Sequence, residues 1–133
     1  MSLEVHVVTP ERDLWSGEAT LVVAHGIEGD VGILQGHAPM LIRLGISPIR
    51  IHREAGEEVR AGVDGGFLHV TSEGDVTRVD VLAHDAVFAG EVDRAHEERR
   101  KSAMEEQLLR VAEDDHAKQE LAKAVMRLGL GPV

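Results

Sequence analysis

The chain has 133 residues, a net charge of −10, no cysteine, and only three aromatics, Trp15, Phe67 and Phe88. That length predicts one domain, or one domain with a small appendage, burying roughly two thirds of its unfolded surface. The charge argues against nucleic acid and anionic lipid as partners, and the few aromatics against a stacking platform for bases or sugars. The missing thiols exclude disulfides and thiolate metal sites.

Residues 1–87 read as a series of short strands. "LEVHVVT" alternates Leu3, Val5 and Val7 with Glu4 and His6, the period of two of a half-buried strand. "ATLVVAH" and "VGILQ" are short apolar runs, and "SPIRIHRE" alternates Ile49 and Ile51 with Arg50 and His52. "EEVRAGVD", "GFLHVTS" and "DVTRVDVLA" follow as separate strands, with a bulge expected in the last, where Val76, Val79 and Val81 break strict alternation. Turn material separates them: "EGD" at 28–30, "EAGEE" at 54–58, "DGG" at 64–66 and "SEGD" at 72–75. This spacing predicts a sandwich or barrel.

Near Phe88 the pattern changes. From Glu91 to Leu128 there is no glycine or proline, and helix formers dominate. Met104, Leu108 and Val111 make one apolar stripe; Leu121, Ala124, Val125 and Leu128 make another. "EDDH" at 113–116 interrupts the pattern, and Asp114 or Asp115 is placed to cap a second helix, which Gly129, Gly131 and Pro132 end. Residues 88–133 are therefore expected to form a helical hairpin, although one continuous helix is also compatible with the missing breaker. The charge runs "HEERRK" and "AEDDHAKQE" read as solvated helix faces.

The stretch "GDVGILQGHAPMLIRLG", residues 29–45, is the best candidate for chemistry. A phosphate loop needs Gly-Lys-Ser/Thr, and no lysine occurs in residues 1–100. Gly29, Gly32 and Gly36 miss the spacing of a dinucleotide fingerprint. Histidine is a common general base, but the chain has no cysteine and no Gly-x-Ser-x-Gly elbow to serve His37. The structural reading is favoured. Gly29 and Gly32 permit backbone turns, Gly36 takes a positive φ before the Ala38-Pro39 corner, and His37 sits at an exposed turn tip. The eight histidines are scattered without metal-ligand spacing, so no metal site is expected. Catalytic residues are expected to be none. The N-terminus lacks the features of a signal peptide and no stretch has membrane-span length, and arginine in excess of lysine hints at a GC-rich bacterial genome.

"EGDVGILQGHAPML" resembles the turn-and-strand signature of the epsilon subunit family of bacterial F-type ATP synthase. "VDGGFLHV" resembles its second signature, "DLWSGEA" its first loop and "ELAKAVMRL" its last helix. The resemblance implies an N-terminal ten-stranded β-sandwich followed by a C-terminal α-helical hairpin. It implies a non-catalytic subunit of the central rotor stalk, peripheral to the cytoplasmic face of the bacterial plasma membrane. The implied partners are the gamma subunit and the membrane c-ring, with Asp30 and His37 as interface residues. The helices are implied to extend along gamma and inhibit ATP hydrolysis; in that state Lys118, Lys123 and Arg127 are expected to be free to meet acidic surface on the catalytic beta subunit.

Some family members bind ATP through Ile/Leu-Asp-x-x-Arg-Ala at the first helix. Here "VDRAHE" supplies Val92 and Asp93 but puts His96 and Glu97 where arginine and alanine belong. Imidazole cannot hold phosphate bidentately as guanidinium does, so no cofactor and no tight ATP binding are expected. Asp93, Arg94 and Arg99 are the residues that would carry such binding. In the folded hairpin Met104, Leu108 and Val111 are expected to face Leu121, Val125 and Leu128, each gaining roughly 1.5–3 kcal/mol if fully buried. Two other readings fit the residues without the resemblance: a free-standing β-sandwich binding module with a helical oligomerisation tail, and a small hydrolase using His37.

Overall fold

A computed structural model describes residues 2–131. Eight strands come first: β1 (Ser2–Val8), β2 (Asp13–Ala19), β3 (Leu21–Gly26), β4 (Gly29–Ile33), β5 (Met40–His52), β6 (Glu58–Glu73), β7 (Val76–Ala83) and β8 (Ala86–Phe88). Two helices follow, α1 (Arg94–Arg110) and α2 (Asp115–Gly129). The strands form one continuous ladder in the order β2-β1-β7-β6-β5-β3-β4, with β8 paired to β6, folded over as an open sandwich. The β-then-α class expected from sequence is found.

The strand count is eight rather than the ten that the resemblance implies; β6 runs unbroken through both "EEVRAGVD" and "GFLHVTS", and β5 extends "SPIRIHRE" back to Met40. Burial shows where they bend. In β6 Ala61 and Val63 face the core, then Leu68 and Val70; in β5 Leu44 faces it, then Ile49 and Ile51. The inward parity flips at Gly45 and at Gly65-Gly66, yet the pairing does not slip: Leu44 still opposes Gly66 and Ile46 still opposes Asp64. The "DGG" stretch is thus a corner inside a strand, not a turn between strands. Gly66 is required there. Its φ is +134°, and a Cβ would overlap the Leu82 carbonyl oxygen.

The bulge expected in residues 76–83 is absent: β7 pairs without a shift to β6 and to β1. Thr77, Val79, Val81 and Ala83 point inward in strict alternation, and Val76 is the first residue on the other face. The shift lies instead between Val7 and Val8, against β2. Pro48 is tolerated inside β5 because the β3 ladder is interrupted beside it, between Val23 and Gly26. The core is aliphatic, built from residues such as Leu3, Val5, Val22, Ile33, Ile49, Ile51, Leu68 and Val79, each at most 1% exposed.

The helices are two. Asp114 caps α2, accepting hydrogen bonds from the Ala117 N–H (3.0 Å) and from Gln107 Nε2 (3.1 Å). Val111, at φ −131° and ψ 90°, leaves the helix without needing glycine or proline. The hairpin seam differs from expectation. Val111 and Val125 are both 49% exposed, and the closest-packed positions of α2 are Ala117 and Ala124. The most buried α2 positions are thus small residues, and the two valines expected in the seam are half exposed.

Candidate functional site

Two regions carry unusual chemistry. The first is the end of the sandwich built by the β3–β4 hairpin and the 34–39 loop. β4 and β5, which that loop joins, do not pair with each other; both pair with β3. Asp30 is exposed in β4, opposite His25 of β3, and the two meet at 2.6 Å between His25 Nδ1 and Asp30 Oδ1. His37 is half-buried rather than a free tip, because its ring Nδ1 folds onto the Ala38 carbonyl at 2.7 Å. Gly36 has the expected positive φ (90°), and its N–H donates to the buried Thr77 Oγ1 at 2.7 Å. Gly32 makes no turn; it pairs with Val23 inside β4.

Beside this end lies a groove of about 430 Å³ lined by Ile27, Asp30, Val31, Leu41, Ile42 and Arg43. It opens onto an outward sheet face. Leu41 is 64% exposed there, and Arg43, Phe67 and Leu82 lie side by side on β5, β6 and β7. A sheet face that exposes leucine and phenylalanine in register, rimmed by charge, has the make-up of a protein-docking surface.

The second region is the junction of helices and sandwich. α2 packs on β5 and β6. Its seat is Gly62, buried in β6, where a Cβ would collide with the Met126 sulfur and approach Leu130. Around the seat lies a charged cluster. Asp64 of β6, its side chain 6% exposed, receives Arg127 at 3.2 Å and Lys123 at 3.8 Å. Arg127 also reaches Asp85 at 3.4 Å and Glu97 of α1 at 3.5 Å. Arg100 bridges Glu97, at 3.3 Å, and Glu120. Arg60 of β6 donates to the Leu130 carbonyl at the α2 C-terminus, where the helix dipole favours a cation.

Burial pushes the Asp64 carboxyl above its usual range; Arg127 and Lys123 offset only part of that desolvation. Glu120 moves the other way, held below its usual range by the Arg100 hydrogen bond. Glu91, after β8, is also lowered, by its hydrogen bond from Arg12 and by the Phe88 N–H.

The residues named from sequence fall apart into different places. Asp93 caps α1 by accepting from the His96 N–H at 3.0 Å, Arg94 donates to the Leu128 carbonyl at 3.1 Å, and Arg99 is exposed. Lys118 pairs with Glu113 on the surface, whereas Lys123 and Arg127 turn onto the sandwich. The run "HEERRK" is not wholly solvated: Glu97 is 2% exposed and Arg100 half-buried. Asp64, Asp85, Glu97 and Arg100 carry the cluster but did not stand out in the sequence. The available signal was spacing: Glu120, Lys123 and Arg127 fall on the α2 face that also carries Ala124.

The family model for the β-sandwich domain of the ATP synthase delta/epsilon chain matches residues 2–89. The chain is 42% identical over 130 residues to an ATP synthase epsilon chain of Chromohalobacter salexigens, covering 96% of this chain and 89% of that one. It is 41% identical over 129 residues to one of Thermobifida fusca, covering 95% and 89%. Among solved structures, a chain of the Euglena gracilis mitochondrial ATP synthase OSCP/F1/c-ring assembly matches with TM-score 0.71 at 21% identity, over 96% of this chain and 75% of that one. A chain of the Tetrahymena thermophila central stalk and c-ring matches with TM-score 0.54 at 18% identity, covering 70% and 71%.

Proposed function

This chain belongs to the ATP synthase delta/epsilon family, and on that premise we propose that it is a non-catalytic rotor-stalk subunit with a two-state helical arm. The sandwich docks onto the gamma subunit through the outward face of Leu41, Phe67 and Leu82. Its β3–β4 end, with Asp30 and His37, meets the c-ring. The subunit is peripheral to the cytoplasmic face of the bacterial membrane, held there by the complex. In the extended state, residues 90–133 lie along gamma and resist ATP hydrolysis, with Lys118, Lys123 and Arg127 against the catalytic beta subunit. No tight nucleotide binding is part of this reading, since Asp93 is occupied as a helix cap and His96 stands where a guanidinium is needed.

The observation that carries the arm is the character of the junction. The sandwich core contains no helix residue, and what crosses to α2 combines a small apolar seat, Met126 and Leu130 on Gly62, with a charged cluster. Part of the docking is thus carried by pairs in which desolvation opposes attraction, a balance that a partner can reverse. The test is to delete residues 90–133 and measure ATP hydrolysis by the reconstituted catalytic complex. Relief of inhibition is expected; hydrolysis unchanged at every nucleotide ratio would make the arm purely structural.

A further inference from the structure

Buried polar atoms in folded proteins nearly always find partners, and exceptions mark places of stored cost or of change. Among the described residues the buried side-chain atoms without a hydrogen-bond partner are Asp64 Oδ1 and Arg127 Nε. They belong to the two sides of one ion pair, the one that joins α2 to β6. Asp64 uses one oxygen for both cations, and Arg127 divides its terminal nitrogens among Asp64, Asp85 and Glu97. Arg127 thus ties α2 at once to the sandwich and to α1.

We propose that the Asp64–Arg127 pair is a latch that sets how often the helical arm leaves the sandwich. The proposal rests on reading the helices as a two-state arm. A fully satisfied buried pair would hold the arm shut, and an apolar contact of the same size would hold it without regard to charge. This pair does neither. It is buried enough that both charges lose water, yet each partner keeps one polar atom unserved. In the released state both atoms regain water, so the closed and open arms are brought closer in free energy. Asp85 and Glu97 give Arg127 a second hold, so the latch orients the arm as well as fixing it. Gly62 provides the flat seat that lets Met126 and Leu130 come down beside the pair.

The chain has one tryptophan and no cysteine, which supplies a direct readout. An acceptor dye on Ala122→Cys, an exposed position of α2, reports its distance from Trp15 of β2 by time-resolved energy transfer in the isolated full chain. Asp64→Asn and Arg127→Gln are each expected to raise the released fraction about tenfold, and the double variant no further than the larger single one. Should Asp64→Asn not fold, Arg127→Gln alone carries the comparison. Gly62→Val, which blocks the seat without touching charge, defines the fully released signal. An unchanged released fraction in the single variants that fold, or effects of the two that simply add, overturns the latch. The outcomes separate from those of the arm deletion. Release by Asp64→Asn with hydrolysis indifferent to deletion keeps the latch and removes the regulatory reading; the reverse pattern removes the latch alone.

Discussion

The interior of the sandwich and the junction with the helical arm differ in almost every respect. Inside, Val5, Ile49, Ile51, Val63 and Val79 are fully buried with no charged neighbour among the residues of that cluster. At the junction, four carboxylates and three cations share a space that Met126, Leu130 and Gly62 only partly fill. The first kind of packing has one good arrangement and loses several kcal/mol when disturbed. The second has offsetting terms, and desolvation opposes attraction within each pair. On the proposed two-state reading, the difference separates the part that would hold its shape from the part that would move.

The largest expected effect breaks the comparison at its strong side. Ile51→Ala should lower the unfolding free energy by about 2–5 kcal/mol, from lost transfer energy plus the cavity left behind. We expect the same loss in the full chain and in a fragment of residues 1–87, which we propose folds alone with cooperative β-type unfolding. Chemical denaturation of both checks this. A fragment with no cooperative transition would show that the sandwich depends on the arm.

pH sharpens the comparison within the polar side. Asp64 faces Arg127, Lys123, Asp85 and Arg100, and its carboxyl is raised above 3.8 by burial in the folded chain. A raised acid contributes to folding stability below its ordinary value and loses that contribution as pH rises through the folded value. This contribution to stability against global unfolding should therefore grow as the solution is acidified toward that point, and Asp64→Asn should abolish it. Glu120 is lowered from 4.5 by Arg100, so its contribution is present above 4.5 and lost as pH falls through the lowered value. The α1–α2 seam should accordingly loosen in acid. Chemical denaturation across the pH range follows the Asp64 contribution, and helix content by circular dichroism over the same range follows the seam.

The smallest effect belongs to the far end of the sandwich. Asp30→Lys changes an exposed charge, so its influence on c-ring association should be about 1 kcal/mol or less and should shrink with added salt. Unfolding and arm release should be unaffected. Equal association at all salt concentrations would remove Asp30 from the interface.

Much of the strong side was legible in the residues. Leu3, Val5 and Val7 announce their strand because one face is buried and the other wet. Asp114 announces a helix start because a short acidic side chain can serve free N–H groups. The corners at Gly45 and Gly65-Gly66 were not legible as corners. A strand that changes layers flips its inward parity at a glycine, and in sequence that pattern is the same as a strand, a turn and another strand. The junction was hidden for a different reason. Glu97 and Arg100 sit in a run that is mostly solvated, and only a contact 20 to 30 residues away takes them out of water. Local pattern carries no information about a partner across the fold.

Those two corners bear on what the proposed rotor-stalk role would ask of the fold. In a sandwich whose layers touch only through side chains, a twisting load is resisted by packing, and the layers slide when packing yields. Here β5 and β6 are each a single strand that passes from one layer into the other, joined along most of their length by an antiparallel ladder. Shear between the layers then pulls on covalent backbone and on in-plane hydrogen bonds. That ladder runs from the Met40/Val70 pair to the His52/Glu58 pair and includes the helix seat at Gly62, so on the rotor-stalk reading it is the element that would carry a load across the sandwich.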